Sequence, residues 1–340
     1  MHFAFTEDQQ AIKEAARSML EETCQPADLR TMLAEGRSFD ETRWDQVVAM
    51  GLPGMLAPVD CGGLGLGMAD FVAIAEAAGY VALPEPLVEL AGITVPLLAM
   101  LDAAGERLKA AIGGEYVALV HPANPHVTHC DRAKHFVFAD GMQTRLVDRS
   151  DVTIEPLDGF DALRPLSRVS IAAGGEAVEG AHRTADRGAL LAAAQMVGIG
   201  QRCIDMAVAY AKERTQFGKA IGTYQAVKHL AADAQVAIEF ARPVVYAAAA
   251  EFDQATLASR ARIAHAKIAA GEAADLATRN ALQIFGAMGY TREADLHFWL
   301  KRAHGLHRTW GTVADLMSTV AERIAALPTG ADTTFAGELA

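Results

Sequence analysis

Closely spaced cysteines are missing from this sequence. The four that it has, Cys24, Cys61, Cys130 and Cys203, form no C-x-x-C pair. A disulfide framework or a zinc knuckle is therefore not expected, and isolated thiols are typical of a reducing compartment. The first residues show no basic start followed by an apolar run, so no signal peptide is predicted. We expect the chain in the cytoplasm.

Long apolar runs and an excess of basic residues are also missing. No stretch of about 18 uninterrupted apolar residues occurs, so we expect neither a spanning helix nor a membrane partner. The 340 residues include 30 Lys and Arg against 42 Asp and Glu, a net charge of −12. Because phosphate backbones need a basic face, nucleic acid is not expected as a partner. A small anionic ligand needs only a few local cations and stays open.

Several motifs of enzymes and metal proteins are absent. Neither G-x-S-x-G nor H-E-x-x-H occurs, which argues against a serine hydrolase and a zincin. The glycines of Gly62–Gly67 do not complete a dinucleotide-binding fingerprint and follow no predicted strand. Four histidines lie close together in the chain, but no carboxylate or thiol spacing supports a metal site. These are His121, His126, His129 and His135.

The apolar periodicity predicts a mostly α-helical chain with strands only in the middle. Up to about residue 110 it predicts helices, one with a capping box of Thr6 and Gln9, one capped by Asp40, and one over Leu87–Leu101. Short apolar or β-branched runs then predict strands at Tyr116–Val120, His135–Ala139, Thr144–Val147, Val152–Pro156 and Ser167–Ile171. Long helices are predicted at Leu190–Lys212, Tyr224–Asp253, Leu257–Phe285, Glu293–Arg308 and from about Val313 to Ala326.

This order of elements predicts three domains and a tail. We expect an N-terminal all-α domain over residues 1–112, a reduced β domain over 113–180 and a four-helix-bundle-type domain over 181–328. Residues 329–340 are predicted to be loose. The many alanines of the last domain would let helix axes approach closely.

Two C-terminal segments point to a ligand. In residues 210–233 a long helix is predicted to end near Arg214, and Gly218 and Gly222 permit a turn before the next helix. The turn presents a guanidinium, amides and an exposed aromatic ring at one point, which suits a diphosphate joined to an aromatic ring. In residues 281–293, small residues including Gly286 end a helix and let the backbone approach a ligand.

In order and separation, the two segments closely resemble the signature of the acyl-CoA dehydrogenase family. That signature runs Y-A-x-x-R-x-Q-F-G-x-x-I-x-x-x-Q-x-x-x-H and then, some fifty residues on, Q-x-x-G-x-x-G-Y. The resemblance implies the family's fold, with an N-terminal helical domain, a middle β domain and a C-terminal helical bundle. It also implies FAD as cofactor and the α,β-dehydrogenation of an acyl-CoA thioester to a trans-2-enoyl-CoA.

The resemblance further implies which residues bind the cofactor. In the family, this corner and helix end hold the ADP half of the neighbouring subunit's FAD. Arg214 would pair with the diphosphate, Phe217 would pack near the adenosine, and Gly286 would belong to the second part of the clamp. The full cofactor-binding set carried over is Arg214, Gln216, Phe217, Ile221, Tyr224, Gln225, Gln283, Gly286 and Thr312.

The same resemblance implies that the catalytic base is missing. The family's glutamate lies in a Y-E-G-T segment, and the matching stretch here places Trp310 at that position. An indole does not accept a proton near neutral pH. The alternative glutamate position of some members, on the helix before Arg214, corresponds to Gly188. Asp186 is the nearby carboxylate that could replace it, and otherwise no catalytic residue is predicted.

The middle region also departs from the family pattern. It lacks T-E-P-x-x-G-S-D and the W-x-T/S element, which contact the flavin ring. These losses resemble the short non-catalytic subunit of heteromeric bacterial acyl-CoA dehydrogenases of sterol side-chain breakdown. The hypothesis is a subunit that completes the FAD site of a catalytic homologue in trans, in an α2β2 assembly, with a steroid side-chain acyl-CoA as substrate. The alternatives are a self-sufficient homomeric dehydrogenase and a non-enzymatic assembly scaffold.

Overall fold

The computed structural model of the chain describes residues 6–101, 105–140, 143–179 and 183–326. Its N-terminal part is helical, with α1 (Glu7–Thr23), α2 (Pro26–Ala34), α3 (Glu41–Ala49), α4 (Met68–Tyr80), α5 (Leu87–Glu89), α6 (Val95–Ala99) and α7 (Gly105–Ile112). The predicted capping box is confirmed, because the side chains of Thr6 and Gln9 each accept a hydrogen bond from the other's backbone N–H. Asp40 caps α3 as predicted.

The helix predicted over Leu87–Leu101 changes its hydrogen-bonding pattern in the middle. A π-helical turn, Leu90–Thr94, separates α5 from α6. Pro96 has no N–H to donate to the carbonyl of Gly92, which an unbroken α-helix requires. The Thr94 hydroxyl donates instead to the Glu89 carbonyl at 3.1 Å. The predicted buried helix is therefore confirmed over Leu87–Ala99, and it contains a π-helical turn that apolar spacing alone does not reveal.

The middle of the chain forms two small sheets. The strands are β1 (Val117–Val120), β2 (His126–Thr128), β3 (His135–Ala139), β4 (Gln143–Asp148), β5 (Val152–Leu157), β6 (Leu166–Ile171) and β7 (Glu176–Glu179). One sheet has the order β1-β3-β4-β7 and the other β2-β6-β5, and only the β1–β3 pair is parallel. The five predicted strands are confirmed as β1, β3, β4, β5 and β6. Strands β2 and β7 were not predicted, because they are short and partly polar.

The C-terminal part is a bundle of long helices. It contains α8 (Thr184–Glu213), the short hairpin β8 (Thr215–Gln216) and β9 (Lys219–Ala220), then α9 (Gln225–Ala250), α10 (Leu257–Phe285), α11 (Leu296–Arg308) and α12 (Val313–Ala326). Two glycines let α8 of this bundle cross α4 of the N-terminal part closely. A Cβ added to Gly198 would lie 1.9 Å from the Glu76 carbonyl oxygen, and one on Gly79 would lie 2.1 Å from that of Gln195.

The mostly α-helical fold, with a small strand region between two helical regions, is therefore confirmed. The bounds of the three domains stay a prediction, and the loose tail predicted for residues 329–340 lies outside the described residues. Within the ranges that the structure describes, no helix is long and apolar enough to cross a membrane.

Candidate functional site

The first predicted segment folds into a tight corner between α8 and α9, residues 214–224, called the Arg214 corner below. Strands β8 and β9 pair antiparallel, and Phe217 and Gly218 form the two-residue tip of the hairpin. Both tip residues have positive φ, 53° and 80°. This is the signature of a type I′ turn, whose twist matches that of a tight hairpin. The phenyl side chain of Phe217 is 92% exposed.

Hydrogen bonds within the Arg214 corner hold its shape. The backbone N–H of Ile221 donates to the Arg214 carbonyl at 2.8 Å, and the Tyr224 hydroxyl donates to the Gln216 carbonyl at 3.3 Å. The ammonium group of Lys219 lies 4.3 Å from the centre of the Tyr224 ring, within cation–π range. Ile221 and Tyr224 therefore support the hairpin from inside this chain.

The polar side chains predicted to grip a ligand are accessible. The side chains of Arg214, Gln216 and Gln225 are all exposed to solvent, and Gln225 is the first residue of α9. A guanidinium and two amides with free hydrogen-bonding capacity at one point could hold the oxygens of a diphosphate.

The second predicted segment is the end of α10. Gly286 terminates the helix with φ 59° and ψ −136°, a backbone conformation that in practice only glycine adopts. A Cβ added to Gly286 would meet no described atom within 4 Å, so a ligand could lie against the backbone there. Gln283, one turn earlier, is exposed.

A ring stack that the sequence analysis did not predict joins the two segments. The rings of Tyr210 in α8 and Phe285 in α10 lie 4.4 Å apart between centroids, with their planes 13° from parallel. Tyr210 also accepts the backbone hydrogen bond of Arg214 at its carbonyl, over 2.9 Å. The structure thus brings the Arg214 corner and the end of α10 together. The only sign of this contact in the sequence is that each segment contains an aromatic residue, Tyr210 in the first and Phe285 in the second.

Trp310 lies in a second cluster, at the turn between α11 and α12, residues 309–312, called the Trp310 turn below. Its indole is buried and its backbone has φ 59°. Its backbone N–H donates to the Ala123 carbonyl at 2.7 Å, and its ring centre lies 5.6 Å from that of His121. Both contacts come from the loop after β1, so the Trp310 turn is closed against the strand region.

Gly188 lies directly against the indole. A Cβ added to Gly188 would lie 2.1 Å from Cδ2 of Trp310, far inside van der Waals contact. The resemblance assigns the family's two alternative glutamate positions to these two residues. The structure shows that they occupy one space, which the indole fills.

A buried lysine that the sequence analysis missed holds the Trp310 turn. Lys267 of α10 donates from Nζ to the carbonyl oxygens of Thr309 and Gly311, the second at 2.8 Å, on either side of Trp310. Burial lowers the pKa of Lys267 to about 7, and Asp315 opposes this effect. The signal was a lone lysine within an alanine-rich helical stretch.

The remaining predicted residues lie around a cleft of about 530 Å³ beside Trp310. Asp186 is held by the guanidinium groups of Arg183 at 3.0 Å and Arg260 at 3.5 Å. Thr312 donates its hydroxyl to Asp315 at 2.7 Å and accepts from the Asp315 backbone N–H at 3.3 Å, so the two cap α12. Thr312 therefore belongs to the Trp310 turn. Asp315 is a second carboxylate in the same cleft as Asp186.

Comparison with known proteins identifies the family. The model of the acyl-CoA dehydrogenase N-terminal domain matches residues 6–110, and that of the C-terminal domain matches residues 178–325. The acyl-CoA dehydrogenase IpdE2 of Mycobacterium tuberculosis is 34% identical over 304 residues, which cover 88% of this chain and 92% of that protein. The chain belongs to the acyl-CoA dehydrogenase family. It is thereby assigned to the acyl-CoA dehydrogenase oxidoreductases, with FAD as the cofactor.

Two solved structures share the fold of this chain. A chain of the ChsE4-ChsE5 complex of Mycobacterium tuberculosis has a TM-score of 0.83 at 20% identity, covering 97% of this chain and 100% of that one. A chain of the Tcur3481-Tcur3483 steroid ACAD has a TM-score of 0.82 at 22% identity, covering 94% and 98%. At these identities the likeness concerns the fold alone.

The described residues fit the ADP end of FAD. The exposed guanidinium and amides of the Arg214 corner and the open backbone at Gly286 could hold a diphosphate and an adenosine. At the Trp310 turn the indole fills the space over Gly188, where the resemblance places the family's base, and the cleft of about 530 Å³ lies beside the indole.

Proposed function

We propose that this chain is the non-catalytic subunit of a heteromeric FAD-dependent acyl-CoA dehydrogenase and completes the partner's FAD site in trans. The observation that carries the proposal is the contrast between the Trp310 turn and the Arg214 corner. The Trp310 indole fills the space over Gly188, where the family places its base, while the Arg214 corner is open to solvent.

The proposed division of labour follows from the chemistry of each side chain. A glutamate of the partner removes the α-proton of the thioester, a role for which Trp310 has no basic atom. FAD, when bound, supplies the acceptor for the β-hydride, and the product is a trans-2-enoyl-CoA. Arg214 of this chain would pair with the diphosphate, and Gln216, Gln225 and Gln283 would donate hydrogen bonds. Phe217 would pack against the adenosine.

The proposal includes an α2β2 assembly and a bulky, steroid-like acyl group. Its support is that a two-chain steroid ACAD shares the fold of this chain. Turnover of a steroid side-chain CoA thioester should exceed that of a straight-chain thioester in the complex. Equal turnover of both would remove the substrate part of the proposal and leave the subunit role intact.

Co-expression with an acyl-CoA dehydrogenase homologue that retains the family's glutamate, sought first in the neighbouring gene, tests the subunit role. The complex should contain FAD and oxidise acyl-CoA, whereas this chain purified alone should be colourless. Arg214→Ala in the complex should weaken FAD binding by about 10- to 100-fold, because a charge-assisted hydrogen bond contributes about 1.5–3 kcal/mol. Arg37→Ala, an exposed arginine of the N-terminal helical region, is the matched control and should change nothing.

Two outcomes would contradict the proposal. A yellow, fully active protein from this chain alone would establish the homomeric dehydrogenase. Unchanged FAD content and affinity in the Arg214→Ala complex would favour an assembly scaffold instead.

A further inference from the structure

Basic side chains line a cleft of about 190 Å³ between α11, the loop after β1 and the loop between β5 and β6. It is called the α11 cleft below. Four of its lining residues are lysine or arginine and one is acidic, although the whole chain has a net charge of −12. The four are Arg164, Lys301, Arg302 and Arg308, and the acidic residue is Asp161. A local excess of positive charge in an acidic protein favours an anionic ligand.

Two of the four cations are paired within the chain and hold the walls of the α11 cleft. The buried Arg302 donates from Nε to Asp161 at 2.7 Å and from Nη1 to the Leu83 carbonyl at 2.7 Å. Asp161 belongs to the loop between β5 and β6, so this ion pair fixes that loop against α11. Arg164, from the same loop, is paired with Glu89.

The other two cations are available to a ligand. Within the part of the chain that the structure describes, no residue forms a hydrogen bond or an ion pair with the side chain of Lys301 or Arg308. They lie seven positions apart, which places them on one side of α11. The helix dipole stabilises a cation at the C-terminal end, which accounts for Arg308 but not for Lys301 in the middle of the helix.

Gly305 lies between these two cations on the same side of α11, four positions after Lys301 and three before Arg308. Glycine inside a helix is destabilising relative to alanine. A Cβ added to Gly305 would meet no described atom within 4 Å, so packing within this chain does not require glycine there. The helix backbone is therefore open to a ligand between the two cations.

An exposed aromatic ring completes the lining of the α11 cleft. Phe160 is 54% exposed and lies in the loop that Asp161 fixes against α11. Its ring centre lies 5.5 Å from that of His304, also in α11. A flat apolar group could pack against the phenyl ring while an anionic group attached to it contacts Lys301 and Arg308.

We propose that the α11 cleft binds a small oxyanion, a phosphate or a carboxylate, carried by a flat apolar group. Lys301 and Arg308 bind the oxyanion, Gly305 leaves room for it, and Phe160 contacts the apolar group. The cleft is smaller than the roughly 300–1,000 Å³ of sites for larger ligands, so it takes a small molecule or one end of a larger one. Arg308 also borders the cleft beside Trp310, whereas Lys301, Gly305 and Phe160 do not line that one. This inference does not depend on the proposed function.

Calorimetric titration of the full chain tests the α11 cleft, with phenyl phosphate and phenylacetate as anionic probes and phenol as the uncharged one. The tighter anionic probe should bind at least about tenfold more strongly than phenol, because its hydrogen bonds are charge-assisted. Lys301→Ala and Arg308→Ala should each weaken its binding by about tenfold. Gly305→Leu fills the space between them without changing the charge and should abolish binding. Lys109→Ala, at a lysine of α7 that is 70% exposed, is the matched control and should bind like the wild type.

The outcomes identify both the anion and the site. Tighter binding of phenyl phosphate assigns a phosphate ester as the ligand, and tighter binding of phenylacetate assigns a carboxylate. No binding of either anionic probe at millimolar concentration, or equal binding to the wild type and Lys301→Ala, overturns the inference. Loss of binding in Arg214→Ala with none in Lys301→Ala places the probe at the Arg214 corner and also overturns it. If circular dichroism shows that Gly305→Leu does not fold, Lys301→Ala and Arg308→Ala still decide.

Discussion

The Arg214 corner and the Trp310 turn have similar backbones, but their aromatic residues differ in burial. Each is a tight connection between two helices, and each has an aromatic residue in left-handed backbone, Phe217 with φ 53° and Trp310 with φ 59°. Such backbone costs about 1–2 kcal/mol for a residue other than glycine. Yet the phenyl ring of Phe217 is in solvent, and the indole of Trp310 is buried.

The two residues differ in whether contacts within this chain offset the strain of their backbone. At Trp310, burial of the indole and the hydrogen bond to Ala123 stabilise the turn. At Phe217, the exposed ring gains little from this chain. We infer that the compensating contact comes from the bound cofactor and the partner subunit. The Trp310 turn is thus stabilised by contacts within this chain, whereas the Phe217 ring gains little from such contacts.

Replacing each aromatic residue by glycine gives the largest expected difference between the two turns. Trp310→Gly should lower the free energy of unfolding of the isolated chain by about 3 kcal/mol, since a buried ring is lost. Phe217→Gly should change it by less than about 1 kcal/mol, because the relief of backbone strain is largely offset by the greater conformational entropy of glycine in the unfolded chain. Urea unfolding of both variants measures this. Similar losses in the two would mean that Phe217 is already packed in the isolated chain.

The pH dependence of stability should reveal the lysine that holds the Trp310 turn. The folded-state pKa of Lys267, about 7, lies below its ordinary 10.5, so the unfolded chain binds more protons between these values. The free energy of unfolding should therefore rise from pH 7 to 10.5, by about 4 kcal/mol more than in Lys267→Met. Parallel curves for wild type and variant would show that Lys267 titrates normally.

The Tyr210–Phe285 stack should matter to FAD more than to folding. Phe285→Leu keeps an apolar side chain but removes a stacked ring, which contributes about 1 kcal/mol. In the complex, we expect FAD to bind about fivefold more weakly, as measured by flavin fluorescence. Tyr210→Phe retains the stack and serves as the control. An equal loss in Tyr210→Phe would assign the effect to the hydroxyl instead.

The smallest effect is expected at Asp186. Its carboxylate is paired with Arg183 and Arg260, and it is not the base in the proposed assignment. Asp186→Asn should change turnover of the complex by less than about twofold, whereas loss of a general base costs about 100-fold or more. A loss of that size would return the base to this chain and support the homomeric alternative.

Much of the fold could be predicted because its signals are local. The capping box at Thr6, the cap at Asp40 and the long helices depend on residues a few positions apart. The π-helical turn at Leu90–Thr94 and the short strands β2 and β7 were missed. Their hydrogen bonds depend on geometry or on partners that apolar periodicity does not encode.

The candidate site divides in the same way. The motif around Arg214 could be recognised in the sequence because its guanidinium, amide and phenyl groups lie within four positions of the chain. The ring stack from Tyr210 to Phe285 spans 75 positions (285 − 210) and became visible only in three dimensions. Thr312 was grouped with the cofactor residues by resemblance, and the structure gives it a capping role beside Trp310.

The sequence by itself determined the family pattern, the helical segments and the residue types at each motif position, because each is carried by neighbours along the chain. Only the tertiary structure decided that the Trp310 indole fills the space over Gly188 and that Lys267 holds the Trp310 turn. Positions 188, 267 and 310 lie far apart in the chain. Their meeting depends on how α8, α10 and the loop after β1 pack, which no local pattern specifies.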